Sequence, residues 1–190
     1  MRVIAGEFRS RKLISVEGLD TRPTSDRLRE TLFNILNPEI EGTTFIDAFA
    51  GTGAVGIEAI SRGARHCLFI EKNKSAMFVI QENLRSLKIG PKARVVQGLA
   101  SLLLATNQAD IVFLDPPFDK EREYQAAFDA LERKPPKLIV VQHSKFFTPP
   151  DECGELKKVR VVKQGDNALS FYRAAAATVS AEPQEPADPE

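Results

Sequence analysis

The sequence predicts an α/β fold, a doubly wound sheet of seven mostly parallel strands closed by an antiparallel C-terminal hairpin. Three observations carry that prediction. Short apolar runs alternate with longer stretches of helical period, as strands and crossover helices do. The glycine-rich turn Gly51-Thr52-Gly53-Ala54-Val55-Gly56 lies between the first such run and the next helical stretch. The last two runs are joined by Gln164-Gly165-Asp166-Asn167, a tight-turn composition that makes that pair antiparallel.

Taken in order, residues 2–5 and 12–16 are β-like runs around a polar link and predict an N-terminal hairpin. A helix follows. Ser25 suits its N-cap, Pro23 and Pro38 bracket it, and Leu28, Leu32, Ile35 and Leu36 recur at helical spacing. Strands are expected at 43–48, 66–70, 94–97, 110–114 and 137–142, with helices at 54–62, 74–87, near 99–105 and at 121–133. The closing hairpin takes 157–163 and 168–173. Parallel strands joined by helices are covered on both faces, and right-handed crossovers wind them in both directions. The expected organisation is a hairpin-and-helix extension on the substrate side (1–40), the sheet domain (41–173) and a tail (174–190).

The 190 residues suffice for one domain with a real core. Bases and acids number 26 each, which hides an asymmetry. Residues 174–190 hold Glu182, Glu185, Asp188 and Glu190 and no base, so the body carries 26 bases against 22 acids. A tail rich in Ala, Pro and acids has too little apolar surface to order itself and is expected to be disordered. No apolar run reaches the roughly 18–20 residues of a membrane span. The first residues have no secretory h-region. Cys67 and Cys153 are too few for a disulfide framework and have no neighbours at metal-ligand spacing. The expectation is a cytoplasmic monomer that uses neither membrane nor metal.

Ligands of doubly wound sheets bind outside the carboxyl ends of the strands, so the residues just after each strand are the candidates. Gly51, Gly53 and Gly56 follow the first strand and allow a tight turn and close approach of a ligand to backbone amides. Glu71 stands 20 residues beyond Gly51 at the tip of the second strand, where a carboxylate can accept from ribose hydroxyls. Together they point to a nucleoside-containing cofactor. Asp47, just ahead of the glycines, suits the cationic amine and sulfonium of S-adenosylmethionine better than a pyrophosphate. Asp115-Pro116-Pro117-Phe118 follows the fourth strand. Prolines leave their carbonyls free to accept, Asp115 adds a carboxylate, and Phe118 offers a face for a base to stack on. Two acceptors can hold both hydrogens of an exocyclic amine and expose its lone pair to a methyl group in line, which is catalysis by positioning.

The stretch from Asp47 through Gly51-Thr-Gly53-Ala-Val-Gly56 to Ala64, taken with Asp115-Pro-Pro-Phe118, resembles the S-adenosylmethionine-dependent N-methyltransferases. The head segments Arg2-Val-Ile-Ala-Gly6 and Thr21-Arg-Pro-Thr-Ser-Asp-Arg-Leu-Arg-Glu30 narrow this. They are similar to the bacterial 16S ribosomal RNA guanine-N2 methyltransferases of the small-subunit methyltransferase D type, which methylate guanine 966. The resemblance runs from Met1 to about Arg173. It implies a Rossmann-like methyltransferase sheet and 16S rRNA or the small ribosomal subunit as partner. Asp47, Gly51, Thr52, Gly53, Glu71 and Gly98 would bind the cofactor, and Asp115, Pro116, Pro117 and Phe118 would receive the guanine amine. Two departures stand out. Relatives usually end the tetrapeptide in Tyr, whereas Phe118 has no hydroxyl. Many methyltransferases place an acid after the third strand for adenine, whereas Gln97-Gly98-Leu99-Ala100 has none.

Arg27 and Arg29 fall near the first turn of their helix, where the macrodipole disfavours cations. With Arg22 they are candidates for RNA phosphates, and ion pairs with Asp26 or Glu30 are the local alternative. Arg2, Arg9, Arg11 and Lys12 form a basic head suited to RNA backbone, with a solvated hairpin as the alternative. Other readings remain open at this point. An adenine-N6 or cytosine-N4 methyltransferase would share the tetrapeptide. A dinucleotide-dependent oxidoreductase would share the glycines and Glu71. A catalytically silent RNA-binding partner would keep the fold alone.

Overall fold

Nearly continuous apolar runs become the middle of one sheet, because strands covered on both faces have no polar side to show. The computed structural model describes residues 1–15, 24–117 and 120–174. In chain order the elements are α1 (Asp26–Leu36), β1 (Thr44–Asp47), α2 (Ala54–Ser61), β2 (His66–Glu71), α3 (Lys74–Ser86), β3 (Ala93–Gln97) and α4 (Ala100–Leu104). There follow β4 (Ile111–Leu114), α5 (Glu121–Glu132), β5 (Leu138–Ser144), β6 (Glu152–Cys153), β7 (Leu156–Gln164) and β8 (Asn167–Ala174). The sheet order is β3-β2-β1-β4-β5-β8-β7-β6. The first five strands are parallel, and β8, β7 and β6 are antiparallel to their neighbours. The order reverses between β1 and β4, which opens the switch-point crevice there.

One core lies under α1, α2 and α3, around Phe33, Phe45, Phe69 and Phe113. The other lies under α4 and α5, around Leu114, Tyr124, Phe128 and Tyr172. Ser25 caps α1 by accepting from the Leu28 amide at 3.2 Å. The doubly wound sheet and its antiparallel close agree with expectation, with β6 as an addition at the edge. That two-residue strand pairs with Leu156 and Lys157, and the Lys158 amide donates to the Asp151 carbonyl at 2.8 Å; beyond that, β7 meets no other strand on its outer side among the described residues. Cys153, which reads as a loop residue in sequence, is a fully buried part of β6.

The expected N-terminal hairpin forms as a short ribbon: around the Arg2–Lys12 bridge, Val3 donates to the Arg11 carbonyl at 2.9 Å, Leu13 to the Met1 carbonyl at 3.1 Å and Ser10 to the Val3 carbonyl at 2.9 Å. Its other donors turn to the helices. The amides of Ile4 and Ala5 donate to the Glu58 carboxylate of α2 at 2.8 and 3.0 Å. Phe8 donates to the Ser61 hydroxyl, and Ile14 to the Asn83 side chain of α3 at 2.7 Å. Residues 1–15 therefore pair as a short ribbon and dock it on α2 and α3. Arg29 departs from its RNA assignment and follows the local alternative, an ion pair with Asp26. Its side chain is fully buried, donating to Asp26 and to the Arg2 carbonyl beside Glu58, so it faces no RNA. The unfavourable cation in the first turn is stabilised from within, by two carboxylates.

Glu58 is itself fully buried and also holds Arg62 at 2.8 Å. Removing it strands two backbone donors and the Arg62 guanidinium, and leaves buried Arg29 with Asp26 alone as its carboxylate. Glu58→Ala is expected to cost about 3 kcal/mol, read from urea unfolding, as breaking a buried ion pair does.

Candidate active site

The carboxyl ends of β1, β2, β3 and β4 surround a cavity of about 240 Å³. Asp47, Gly51, Thr52, Glu71, Gly98, Asp115 and Pro117 all line it. Gly53 lies at the start of α2, with φ of 78°, and Gly51 has φ of 54°, both in the left-handed region that only glycine adopts without strain. Gly56 serves packing, since a Cβ there would sit 2.3 Å from the Phe69 ring. Pro116 is buried just behind the lining. Phe118 and Arg22 lie outside the described residues.

Two carboxylates at the crevice hold the loop. Asp47 accepts from the Gly56 amide at 2.9 Å and so caps α2 from the end of β1, a helix with no capping side chain of its own. Glu71 accepts from Gly51 at 2.8 Å with one oxygen and from Asn73 at 2.8 Å with the other. Each Glu71 oxygen keeps a lone pair for a further donor. The cap of α3 is Asn73, not Glu71.

Electrostatically the cavity is an acid trap. Burial pushes the Asp47 carboxyl up to about 7, against the pull of the Gly56 amide. Burial and the neighbouring Asp47 push Asp115 up to about 8, with the Thr24 hydroxyl pulling the other way. Neither carboxylate has a basic ion-pair partner among the described residues. A cationic ligand would relieve both, so the donor set fits a sulfonium and an ammonium. At the rim, Lys72 pairs with Glu123 at 2.9 Å. Gln97 does not reach into the cavity as an adenine partner; its amide donates to the Lys72 carbonyl. Leu99 and Ala100 line that side instead.

Sequence reading missed two residues that touch the tetrapeptide and a third that anchors them. Thr24 donates to Asp115 across 91 positions, and the Tyr124 hydroxyl reaches the Pro116 carbonyl at 3.3 Å. Gln142 contacts both of these residues. The only sequence signal was the Thr in Arg22-Pro23-Thr24. Of the basic candidates, Arg2, Arg9, Arg11, Lys12 and Arg27 are exposed. Among the described residues no helix is long and apolar enough to cross a membrane, and no cluster of three ligating side chains could hold a metal.

Acceptors opposite a glycine loop, with no base to neutralise them among the described residues, fit a methyl-donor site, and the relatives that follow make the class plain: this is a methyltransferase. The chain belongs to the family of the ribosomal RNA small subunit methyltransferase D proteins, and residues 1–173 match the family described as "Conserved hypothetical protein 95". It is 40% identical to the ribosomal RNA small subunit methyltransferase D of Haemophilus influenzae, over 76% of this chain and 79% of that protein. It is 33% identical to YlbH of Bacillus subtilis, named as a candidate rRNA methyltransferase, over 91% and 98% of the two chains. The solved structure of yhhF from Escherichia coli, named as a candidate methyltransferase, is similar with a TM-score of 0.78 at 37% identity. That likeness covers 93% of this chain and 99% of yhhF.

The raised carboxyls make the free protein pH-sensitive. A group whose folded pKa exceeds its unfolded value near 4 contributes stability that is complete below about pH 4 and lost as pH rises through 7 and 8. Asp115→Asn is therefore expected to raise the Tm of the ligand-free protein at pH 8.5, with the gain shrinking toward pH 4. Thermal unfolding at the two pH values checks the sign.

Proposed function

We propose that this protein transfers a methyl group from S-adenosylmethionine to the exocyclic N2 amine of a guanine in 16S rRNA. The observation that carries this reading is the cavity shared by Asp115, at the end of β4, with Asp47, the glycine loop and Glu71. The relatives named as rRNA methyltransferases supply the substrate class. Asp47, Gly51, Thr52 and Gly53 would hold the methionine end of the cofactor, Glu71 the ribose, and Gly98 with its neighbours the base. When bound, the cofactor supplies an electrophilic methyl group.

The chain's own groups do the rest. Asp115 accepts one N–H of the amine in its ionised form, which a cation in the cavity favours. The Pro116 carbonyl has a second lone pair beyond its contact with Tyr124 and accepts the other. With both hydrogens held, the nitrogen lone pair is aimed rather than left to rotate, which is where positioning lowers the barrier. Methylated nitrogen carries one proton too many, and Asp115 is the base placed to take it. Pro117 fixes the backbone beyond, and Phe118 is assigned to stack on the base. Arg2, Arg9, Arg11, Lys12 and Arg27 are assigned to the RNA backbone, a contact that weakens with salt and reads no sequence. Arg22 completes that set by proposal. Arg29 leaves it.

Labelled S-adenosylmethionine offered with naked 16S rRNA and with small subunits lacking the modification tests this directly. Label is expected in N2-methylguanosine. Asp115→Ala is expected to lower kcat by about 10²–10⁴-fold while cofactor binding by calorimetry persists. Label in adenine or cytosine would move the target to another amine, and absence of transfer to any RNA would refute the reading.

A further inference from the structure

Two side chains that touch the catalytic exit have no part in the reading above, and both rest on one residue. Thr24 Oγ1 lies 3.3 Å from Asp115 Oδ2 and 3.0 Å from Gln142 Oε1. The Tyr124 hydroxyl lies 3.3 Å from the Pro116 carbonyl and 3.1 Å from the Gln142 carbonyl. Thr24, Tyr124 and Gln142 are all buried. The register of β4 with β5 pairs Leu114 with Val141, so Asp115 and Gln142 are the next residues of adjacent strands. Tyr124 is fixed in turn by the Phe147 ring, 4.8 Å away between centroids.

We infer that Thr24 and Tyr124 are positioning residues for methyl transfer, setting the Asp115 carboxylate and the Pro116 carbonyl from a common anchor, Gln142. The inference rests on the reading of Asp115 and Pro116 as acceptors of the target amine.

The physical case is one of proton supply. Each hydroxyl has a single proton and two acceptors in reach, so its direction follows the stronger acceptor. An ionised Asp115 outcompetes the Gln142 amide oxygen, because hydrogen bonds to a charged acceptor are the stronger ones. Thr24 then stops the carboxylate from turning and leaves Oδ1, which has no partner among the described residues, for the amine. A protonated Asp115 can instead donate to Thr24, which passes its own proton to Gln142. Thr24 thus favours the ionised form, in opposition to the burial that disfavours it. Among the described residues, the titratable groups around Asp115 are Asp47 from β1, Glu71 from β2, the Lys72–Glu123 pair at the rim and Tyr124 from α5. None of these is a cation free to do what Thr24 does. Buried polar networks of this kind are stable only when each member is satisfied, so the geometry tolerates little drift.

The test uses the full chain with RNA and labelled cofactor, in four variants. Thr24→Val keeps the shape and removes the hydroxyl. It is expected to lower kcat about tenfold, the effect of one hydrogen bond to a charged group. Thr24 lines the cavity, but its hydroxyl is spent on Asp115 and Gln142 and Val keeps its shape, so KM for cofactor and RNA should stay within about twofold. The acid limb of the kcat profile should move to higher pH, since the carboxylate loses a donor. Thr24→Ser should restore both the rate and the limb. Tyr124→Phe should lower kcat without moving the limb, because Pro116 does not titrate. Wild-type kcat and limb in Thr24→Val would overturn the inference. So would a loss that Ser does not restore and that leaves the limb in place, the mark of a packing role. A fully active Asp115→Asn would overturn the acceptor reading itself, whereas an inactive one beside an unaltered Thr24→Val overturns the positioning alone.

Discussion

The hydrogen bond from the Gly56 amide to Asp47 ties three elements at one point: the end of β1, the glycine loop and the first turn of α2. It exists because α2 starts on a glycine, with nothing of its own to satisfy its leading amides. A side chain at position 56 would collide with Phe69, so the helix reaches the sheet only as glycine. The carboxylate that completes the helix is thereby drawn into the interior. A helix N-terminus offsets part of the desolvation cost, but only part, and Asp47 stays above its ordinary range. Asp115 inherits the consequence, since the charge it meets across the crevice is Asp47. One capping contact thus shapes the loop and sets the acidity of the residue opposite.

The N-terminal segment has a comparable dependence on α2 and α3. Glu58 takes its amides at residues 4 and 5, and Asn83 takes both backbone groups of Ile14. Asn83 also donates to the Thr52 carbonyl at 3.0 Å, inside the glycine loop. The basic head is therefore not an independent arm. It shares hydrogen-bonding side chains with the loop that borders the cavity.

Much of this was legible in the sequence where the signal was local. Strand and helix periodicity, the Ser25 cap and the glycine spacing depend on residues close together, and each is found in the structure where it was read. The pairing of β1 with β4 brings the two informative strand ends, Asp47 and Asp115, to one crevice. Contacts between distant residues were not legible. Nothing near Thr24 announces Asp115, and Gln142 reads as the end of an apolar strand. For Arg29 the local alternative, a pair with Asp26, was legible, but its burial beside Glu58 on another helix was not, although an acid within Ala54-Val-Gly-Ile-Glu58-Ala-Ile is itself a hint of a buried charge. The N-terminal ribbon was legible in the same way, whereas its docking was not, because the acceptors that hold it belong to α2 and α3.

The open side of β7 has a consequence of its own. Beyond Lys158 this strand meets no outer neighbour among the described residues, and such an edge is a template on which a second sheet could grow. Its exposed side chains include Val159 and Val161, which would favour such growth. Between and around them stand Lys157, Arg160 and Lys163, and Leu156–Gln164 contains no acid. Two copies meeting along this edge would crowd these cations together. Cations on an edge strand disfavour such pairing, which is the part that gatekeeper residues play.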